Sequence, residues 1–241
     1  MRKMNNFKGT VGILLTGSDT PKILGDPANP ETFEFPVITE KLKGLSVADL
    51  LHKCSQTAEK ILKGAKELEK KGASFIVGDC GLFALYQKEI SSFLEIPFLS
   101  SSLVFVPFLE KVCGGKIGIL AGDSRLETED FFTSIGLDNK KIRVCGMEKA
   151  IEFNAVVLEG SKQMDINKMK MDVTNLVKDF VNTNKDVSCL VLECTNLIPF
   201  ASYVQEKVFL PVFDAVLLTN MFYKALHRED FRKIKKGGGE L

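Results

Sequence analysis

Apolar positions along the chain fall into short continuous runs, separated by longer stretches in which they recur every three or four residues. The runs are Val11-Gly12-Ile13-Leu14-Leu15 within Lys8 to Thr16, Phe75-Ile76-Val77, Lys116 to Leu120, and Val187 to Leu192. They have the length and continuity of strands covered on both faces, as in a parallel sheet. The periodic stretches read as helices. Leu51, Cys54, Ala58, Ile61, Ala65 and Leu68 make one stripe, opened by a capping box at Ser46 and Asp49 and ended by Gly72. A second stripe, Met169, Val173, Leu176, Val177 and Phe180, spans Asn167 to Asn182, and Ala215, Leu218, Phe222 and Ala225 form a last helix that starts at Asp214. Leu82, Tyr86, Ile90 and Phe93 share a face after Cys80; Leu126 to Ile135 reads as a helix capped by Gly136; Pro199 suits the first turn of a helix. Short strands are expected after Pro97 and at Val212-Phe213, and Ile142 to Leu158 reads as a strand followed by irregular chain. Between Pro21 and Pro36 the chain is a long Pro-rich loop, which either shapes a site mouth or is an ordinary surface connection.

The order of these elements repeats. Val11 to Leu15 is echoed by Ile117 to Leu120, and each run ends in a small polar turn, Thr16-Gly17-Ser18-Asp19 and Gly122-Asp123-Ser124. The later runs, Phe75 to Val77 and Val187 to Leu192, are followed by Cys80 and Cys194. The step from Cys80 to Pro97 is 17 residues and so is that from Cys194 to Pro211. A duplicated β/α plan predicts an α/β fold of two pseudo-symmetric lobes, each a mostly parallel sheet flanked by helices, with an active site in the cleft between them. The expected division is residues 1–105 plus 214–241 as the first lobe, carrying Cys80, and 106–213 as the second, carrying Cys194.

Charge narrows the partners. With 32 basic and 31 acidic residues among 241, the net charge of +1 offers no footprint for nucleic acid or an anionic membrane surface, so the substrate is expected to be a small molecule. No apolar run approaches the ~20 residues of a membrane span, and Met1 to Asn6 does not lead into a signal-peptide core. The tail from Lys233 to Leu241 reads as frayed. Six cysteines are too few for a disulfide scaffold, and none stands at zinc-ligand spacing to another or to a histidine, which points to reduced thiols, no metal and a cytoplasmic location. His52 and His227 both sit in helical patterns, so acid/base chemistry falls to other residue types.

For Cys54, inside its apolar stripe, and for Cys113, Cys145 and Cys189, in or beside strands, packing is the favoured explanation. A lone cysteine closing a buried strand would be read the same way. Two at matched places in a repeat are not, because β-strand ends followed by helix N-termini are where α/β sheets bind ligands. A helix N-terminus is expected to lower a thiol pKa, so one cysteine could act as base and the other, as neutral thiol, as acid. Gly81 permits close backbone approach of a ligand, and Thr195-Asn196 offers a hydroxyl and an amide for a carboxylate. Asp79 and Glu193, alternating away from the cysteines, are expected to be structural.

Cys80 and the segment Glu193-Cys194-Thr195-Asn196 resemble the paired cysteine motifs of the aspartate/glutamate racemase superfamily, which includes hydantoin racemases, arylmalonate decarboxylases and maleate isomerases. The stretch Gly25-Asp26-Pro27-Ala28-Asn29-Pro30-Glu31-Thr32-Phe33-Glu34-Phe35-Pro36-Val37 and Leu210-Pro211-Val212-Phe213-Asp214 fit as well, so the resemblance covers nearly the whole chain. It implies a cofactor-free enzyme, independent of metal and pyridoxal, in which Cys80 and Cys194 move protons on opposite faces of an α-carbon. Thr16, Gly81, Leu82, Ser101, Thr195 and Asn196 are then the candidate substrate-binding residues for a small carboxylate, and a homodimer is implied. The best known racemases have Cys-Asn-Thr where this chain has Cys80-Gly81-Leu82, and the glutamate enzymes a histidine where it has Asn196, which argues against glutamate or aspartate. The expected activity is an amino-acid racemase or epimerase. A decarboxylase or cis-trans isomerase of a small dicarboxylate, and a ligand-binding protein that kept the cleft, are the alternatives.

Overall fold

The computed structural model describes residues 9–228; residues 1–8 and 229–241 of the first-lobe assignment, including the signal-peptide and tail readings, lie outside them. In chain order the first half comprises β1 (Val11–Leu15), β2 (Val37–Lys41), α1 (Val47–His52), α2 (Ser55–Lys70), β3 (Phe75–Gly78), α3 (Gln87–Phe93), β4 (Phe98–Leu99) and α4 (Val106–Val112). The second comprises β5 (Lys116–Ala121), α5 (Glu129–Ser134), β6 (Ile142–Gly146), α6 (Ile151–Phe153), α7 (Ile166–Thr183), β7 (Val187–Leu192), α8 (Ala201–Val208), β8 (Val212–Phe213) and α9 (Ala215–Leu226).

The strands form two four-stranded sheets of the same order, β2-β1-β3-β4 and β6-β5-β7-β8, with every pairing parallel. The expected α/β plan of paired parallel sheets is thus the observed one. Both central strands are buried on two sides, as their unbroken apolar runs require: Val11, Ile13, Leu14, Ile76, Ile119, Leu190 and Val191 are wholly inaccessible. α2 lays Ala58, Ile61, Ala65 and Leu68 onto the first sheet. Burying side chains such as Ile61 or Leu68 stabilises by about 1.5–3 kcal/mol each. α9 returns to the first half, with Phe222 tilted on Phe75 at 5.3 Å and Tyr223 stacked on Phe35 at 3.9 Å between ring centroids.

Three local expectations are corrected. The stripe from Leu51 to Leu68 is two helices: Lys53 turns left-handed at φ 46°, and Cys54 becomes the N-cap of α2, exposed and outside the core. β2, within a stretch with no strand reading, is an edge strand whose residues are only partly covered, so it lacks a continuous apolar run. After β6 the chain is ordered as α6 followed by a single π-helical stretch, Asn154–Leu158. The capping box stands as expected, with Asp49 N–H donating to Ser46 Oγ at 3.2 Å and Ser46 N–H to the Asp49 carboxylate at 2.9 Å. Among the described residues no helix is long and apolar enough to cross a membrane.

Candidate active site

The carboxyl ends of β1, β3, β5 and β7, the two inner strands of each sheet, converge on one cavity of about 140 Å³. That is small beside the ~300–1,000 Å³ of pockets for drug-sized ligands, and it suits a molecule of a few carbons. The chain leaves the inner strands in the same way in both halves. Asp79 N–H donates to Leu14 O at 3.1 Å and Glu193 N–H to Leu120 O at 3.0 Å, so each strand is held to its neighbour one residue before the cysteine. Cys80 and Cys194 then cap matched 3₁₀ turns, Gly81–Tyr86 and Thr195–Phe200, and both half-buried thiols line the cavity.

Thr16, Gly81, Leu82, Thr195 and Asn196 line it too; Ser101 does not. Ser101 is buried as the cap of the next 3₁₀ turn, its hydroxyl accepting from Leu103 N–H at 3.2 Å, and its assignment to substrate binding is corrected. Two other candidates have roles different from those expected. Thr195 Oγ1 donates to Asp79 O at 2.6 Å, which commits its proton to a bond between the two halves. Gly81 makes room for a side chain of the protein: a Cβ there would collide with the Glu193 carboxylate, which reaches across from the other half. Asn196 donates from its amide to Cys194 Sγ at 3.6 Å.

The thiols are not activated as their position at turn N-termini suggested. Burial, then the Glu193 and Asp79 carboxylates, push Cys80 well above an ordinary thiol. Cys194 is pushed up to about 12 by burial and Glu193, against the opposing effects of Asn196 and the Lys22 ammonium. Both are neutral, because desolvation and nearby anions outweigh a short turn's dipole. The lowered thiol pKa expected at Cys80 and Cys194 is found instead at the exposed Cys54, hydrogen-bonded to Thr57 Oγ1 at 3.2 Å.

Several lining residues escaped the sequence. Lys22, from the Pro-rich loop, is the one lysine or arginine among the described residues that line the cavity. Burial opposes its charge, but Asp26 and Asp79 more than offset this and hold its pKa above the ordinary value. Asp26, itself buried, lies 3.4 Å from Lys22 Nζ and accepts Ala28 N–H at 2.7 Å. The loop thus shapes the site, and its Gly25, at φ +98°, packs on Pro199 with no room for a Cβ. Asp79 accepts Thr16 N–H at 2.8 Å and is raised to about 6, mainly by burial. Glu127 and Glu193 are buried together against the cavity. Burial and Glu193 push Glu127 well above the carboxylate range; burial also raises Glu193, an effect that the neighbouring Glu127 carboxyl opposes. Asp123 completes the acidic wall but is gripped by Arg125 at 2.8 and 2.6 Å. Val47, Leu82, Leu126, Val157 and Leu158 are the larger apolar side chains of the lining. The Lys22/Asp26 spacing of four was the available signal for the cation; nothing in the sequence sets Glu127 apart from Glu129 and Asp130 beside it.

No protein-family model matches the chain. A dimethylsulfoniopropionate lyase from Durusdinium sp. clade D is 28% identical over 217 residues, covering 83% of this chain and 69% of its own length. Dimethylsulfoniopropionate lyase 7 from Emiliania huxleyi is 25% identical over 232 residues, covering 90% and 67%. Among solved structures, unliganded arylmalonate decarboxylase superposes with a TM-score of 0.59 at 15% identity, covering 96% of this chain and 94% of that one. An aspartate racemase homologue from Pyrococcus horikoshii OT3 gives 0.56 at 18%, covering 92% and 100%. The sequence relatives are named as lyases, which overturns the expectation of an isomerase of the amino-acid racemase type; the racemases enter through structure, at identities that speak to fold alone. The chain has the fold shared by arylmalonate decarboxylase and the aspartate, glutamate and allantoin racemases, as its two cysteine segments implied.

Proposed function

We propose that the protein is a lyase that eliminates a leaving group from the β-carbon of a small carboxylate, with dimethylsulfoniopropionate, the compound in its relatives' names, as the candidate substrate. The observation that carries this reading is the small cavity in which two thiols face a single ammonium, in a chain whose sequence relatives bear that name. Lys22 takes the carboxylate. Cys194, the thiol that accepts the Asn196 amide and whose ionisation Lys22 favours, acts as base on the neighbouring carbon. Its thiolate removes the α-proton, the C–H electron pair becomes the new C=C bond, and the C–S bond breaks with its pair leaving on sulfur. The products are dimethyl sulfide, acrylate and a proton held on Cys194, which passes to solvent. Cys80, which burial and the Glu193 and Asp79 carboxylates push up, stays protonated and can donate to the carboxylate as negative charge builds on it.

Reduced thiols are a condition of this chemistry and agree with a cytoplasmic location. The division into lobes 1–105 with 214–241 and 106–213, and a homodimer as the working form, belong to the same proposal through the family resemblance; sedimentation velocity showing only a monomer would remove the dimer. The activity is tested by incubating purified protein with dimethylsulfoniopropionate and measuring dimethyl sulfide in the headspace and acrylate in solution. Equal amounts of both are expected, and no sulfide above a Cys194→Ser control would overturn the assignment.

A further inference from the structure

One wall of the cavity is not used by the elimination described above. Glu127 and Glu193 are each 5% exposed and line the cavity side by side, and Glu127 Oε2 is buried with no hydrogen-bond partner. None of the ion pairs among the described residues involves either of them. Two desolvated acids without a cation are costly, and the strain is relieved here by keeping a proton on Glu127. The residues packed around the pair give no cationic help. Asp123 adds negative charge but is already matched by Arg125, and Cys80 and Cys194 are neutral. Lys22, the lone ammonium of the lining, is engaged by Asp26 and Asp79.

We propose that the Glu127–Glu193 pair is the subsite for a small methylated onium cation carried by the substrate, and that the pair releases its shared proton to solvent when that cation arrives. The sulfonium identity of the cation rests on the lyase reading; the onium class rests on the wall itself. The acids share the lining with Leu82, Leu126 and Val157, and among the described residues none that lines the cavity carries an aromatic ring. Methyl-covered positive charge, which has no N–H to donate, meets there both apolar contact and carboxylate charge. A primary ammonium would lose its water without a full set of acceptors.

The subsite also bears on the thiols. After burial, Glu193 is the largest cause holding both of them neutral. An onium group set against Glu193 offsets the charge that Glu127 gains as it loses its proton, so the wall is no more negative toward Cys194 with the cation bound than without it.

The test is calorimetric binding of two ligands near neutral pH, in buffers of different ionisation enthalpy. One is trimethylammoniopropionate, whose amine is too poor a leaving group to be eliminated; the other is its carbon isostere, with a tert-butyl group in place of the trimethylammonium. The cation should bind at least about tenfold more tightly than the isostere, as a close desolvated charge pair allows. Its binding should release up to about one proton per site, the coupled titration of one shared proton. Glu127→Gln should keep the preference and lose the proton release; the double change Glu127→Gln with Glu193→Gln should lose both. Equal or undetectable binding of the two ligands by the unaltered protein, or tight cation binding without proton release, would overturn the proposal without recourse to any variant. Sulfide release with no preference for the cation would remove the subsite alone, whereas preference for the cation with no sulfide release would remove the lyase reading alone.

Discussion

The same position in the repeat has been given opposite company in the two halves. Asp79 and Glu193 both follow an inner strand and precede a cysteine, and both are buried at 4–5% exposure. Asp79 meets a cation, Lys22, and the Thr16 N–H; Glu193 meets another acid, Glu127. A duplicated scaffold alone would produce a symmetric cavity. The differing partners make it polar from end to end, with an anion-accepting wall in the first half and a cation-accepting wall reaching in from the second. The residues after each cysteine diverge to match. Gly81 is vacant so that Glu193 can cross, while Thr195 and Asn196 brace the backbone and the second thiol.

The comparison breaks most severely at the thiols. Cys194→Ser should lower sulfide release by about 10²–10⁴-fold or more, since a matched base contributes that much. Cys80→Ser should cost less, because a hydroxyl still donates a hydrogen bond; equal losses would mean that the halves share the proton work. Next comes the anionic wall. Lys22→Ala should raise KM far more than it lowers kcat, by roughly tenfold or more, as loss of a buried charge partner does; an unchanged KM would place the carboxylate elsewhere. Gly81→Ala forces Glu193 out of its place and should cost about 1–3 kcal/mol of stability, read by denaturant unfolding, because overpacking a closed site strains it. The rate should also climb with pH through neutrality and beyond, since the base is active only as thiolate and Cys194 is pushed up to about 12. A bell centred below pH 7 would name a different base.

The mildest test concerns stability. Glu127 is raised in the folded state, so the fold binds a proton that the unfolded chain has released, and stability is lost as pH rises from the unfolded value through the folded one. Glu127→Gln should therefore raise the melting temperature at pH 8, by roughly 2–4 °C for each kcal/mol recovered, with the gain fading below about pH 4. A gain of the same size at both pH values would mean that ionisation of Glu127 is not what strains the fold.

What could be read in advance follows from burial. β1, β3, β5 and β7 are covered on both faces, so their apolar runs stand out in the sequence, and with them the cysteines that follow β3 and β7. Edge strand β2 is only partly covered, so it has no continuous apolar run to mark it. The break at Lys53 turns on one left-handed residue and leaves no mark in the stripe, which is why Cys54 was misplaced. Polar pairing across the cavity is harder still. Glu127 differs from its acidic neighbours only in the direction in which the chain turns before α5, and the thiol pKa values depend on carboxylates from both halves of the molecule.

The apolar lining residues Val47, Leu126, Val157 and Leu158 bear on how turnover would end. The proposed reaction splits a zwitterion into an uncharged sulfide and an anion. The sulfide no longer has a charge for the acidic wall to hold, and the greasy part of the lining is a favourable way out for it. Acrylate keeps the one group that Lys22 grips. Departure is then ordered, sulfide first and acrylate last, which makes acrylate competitive with substrate and dimethyl sulfide a poor inhibitor at any concentration that dissolves.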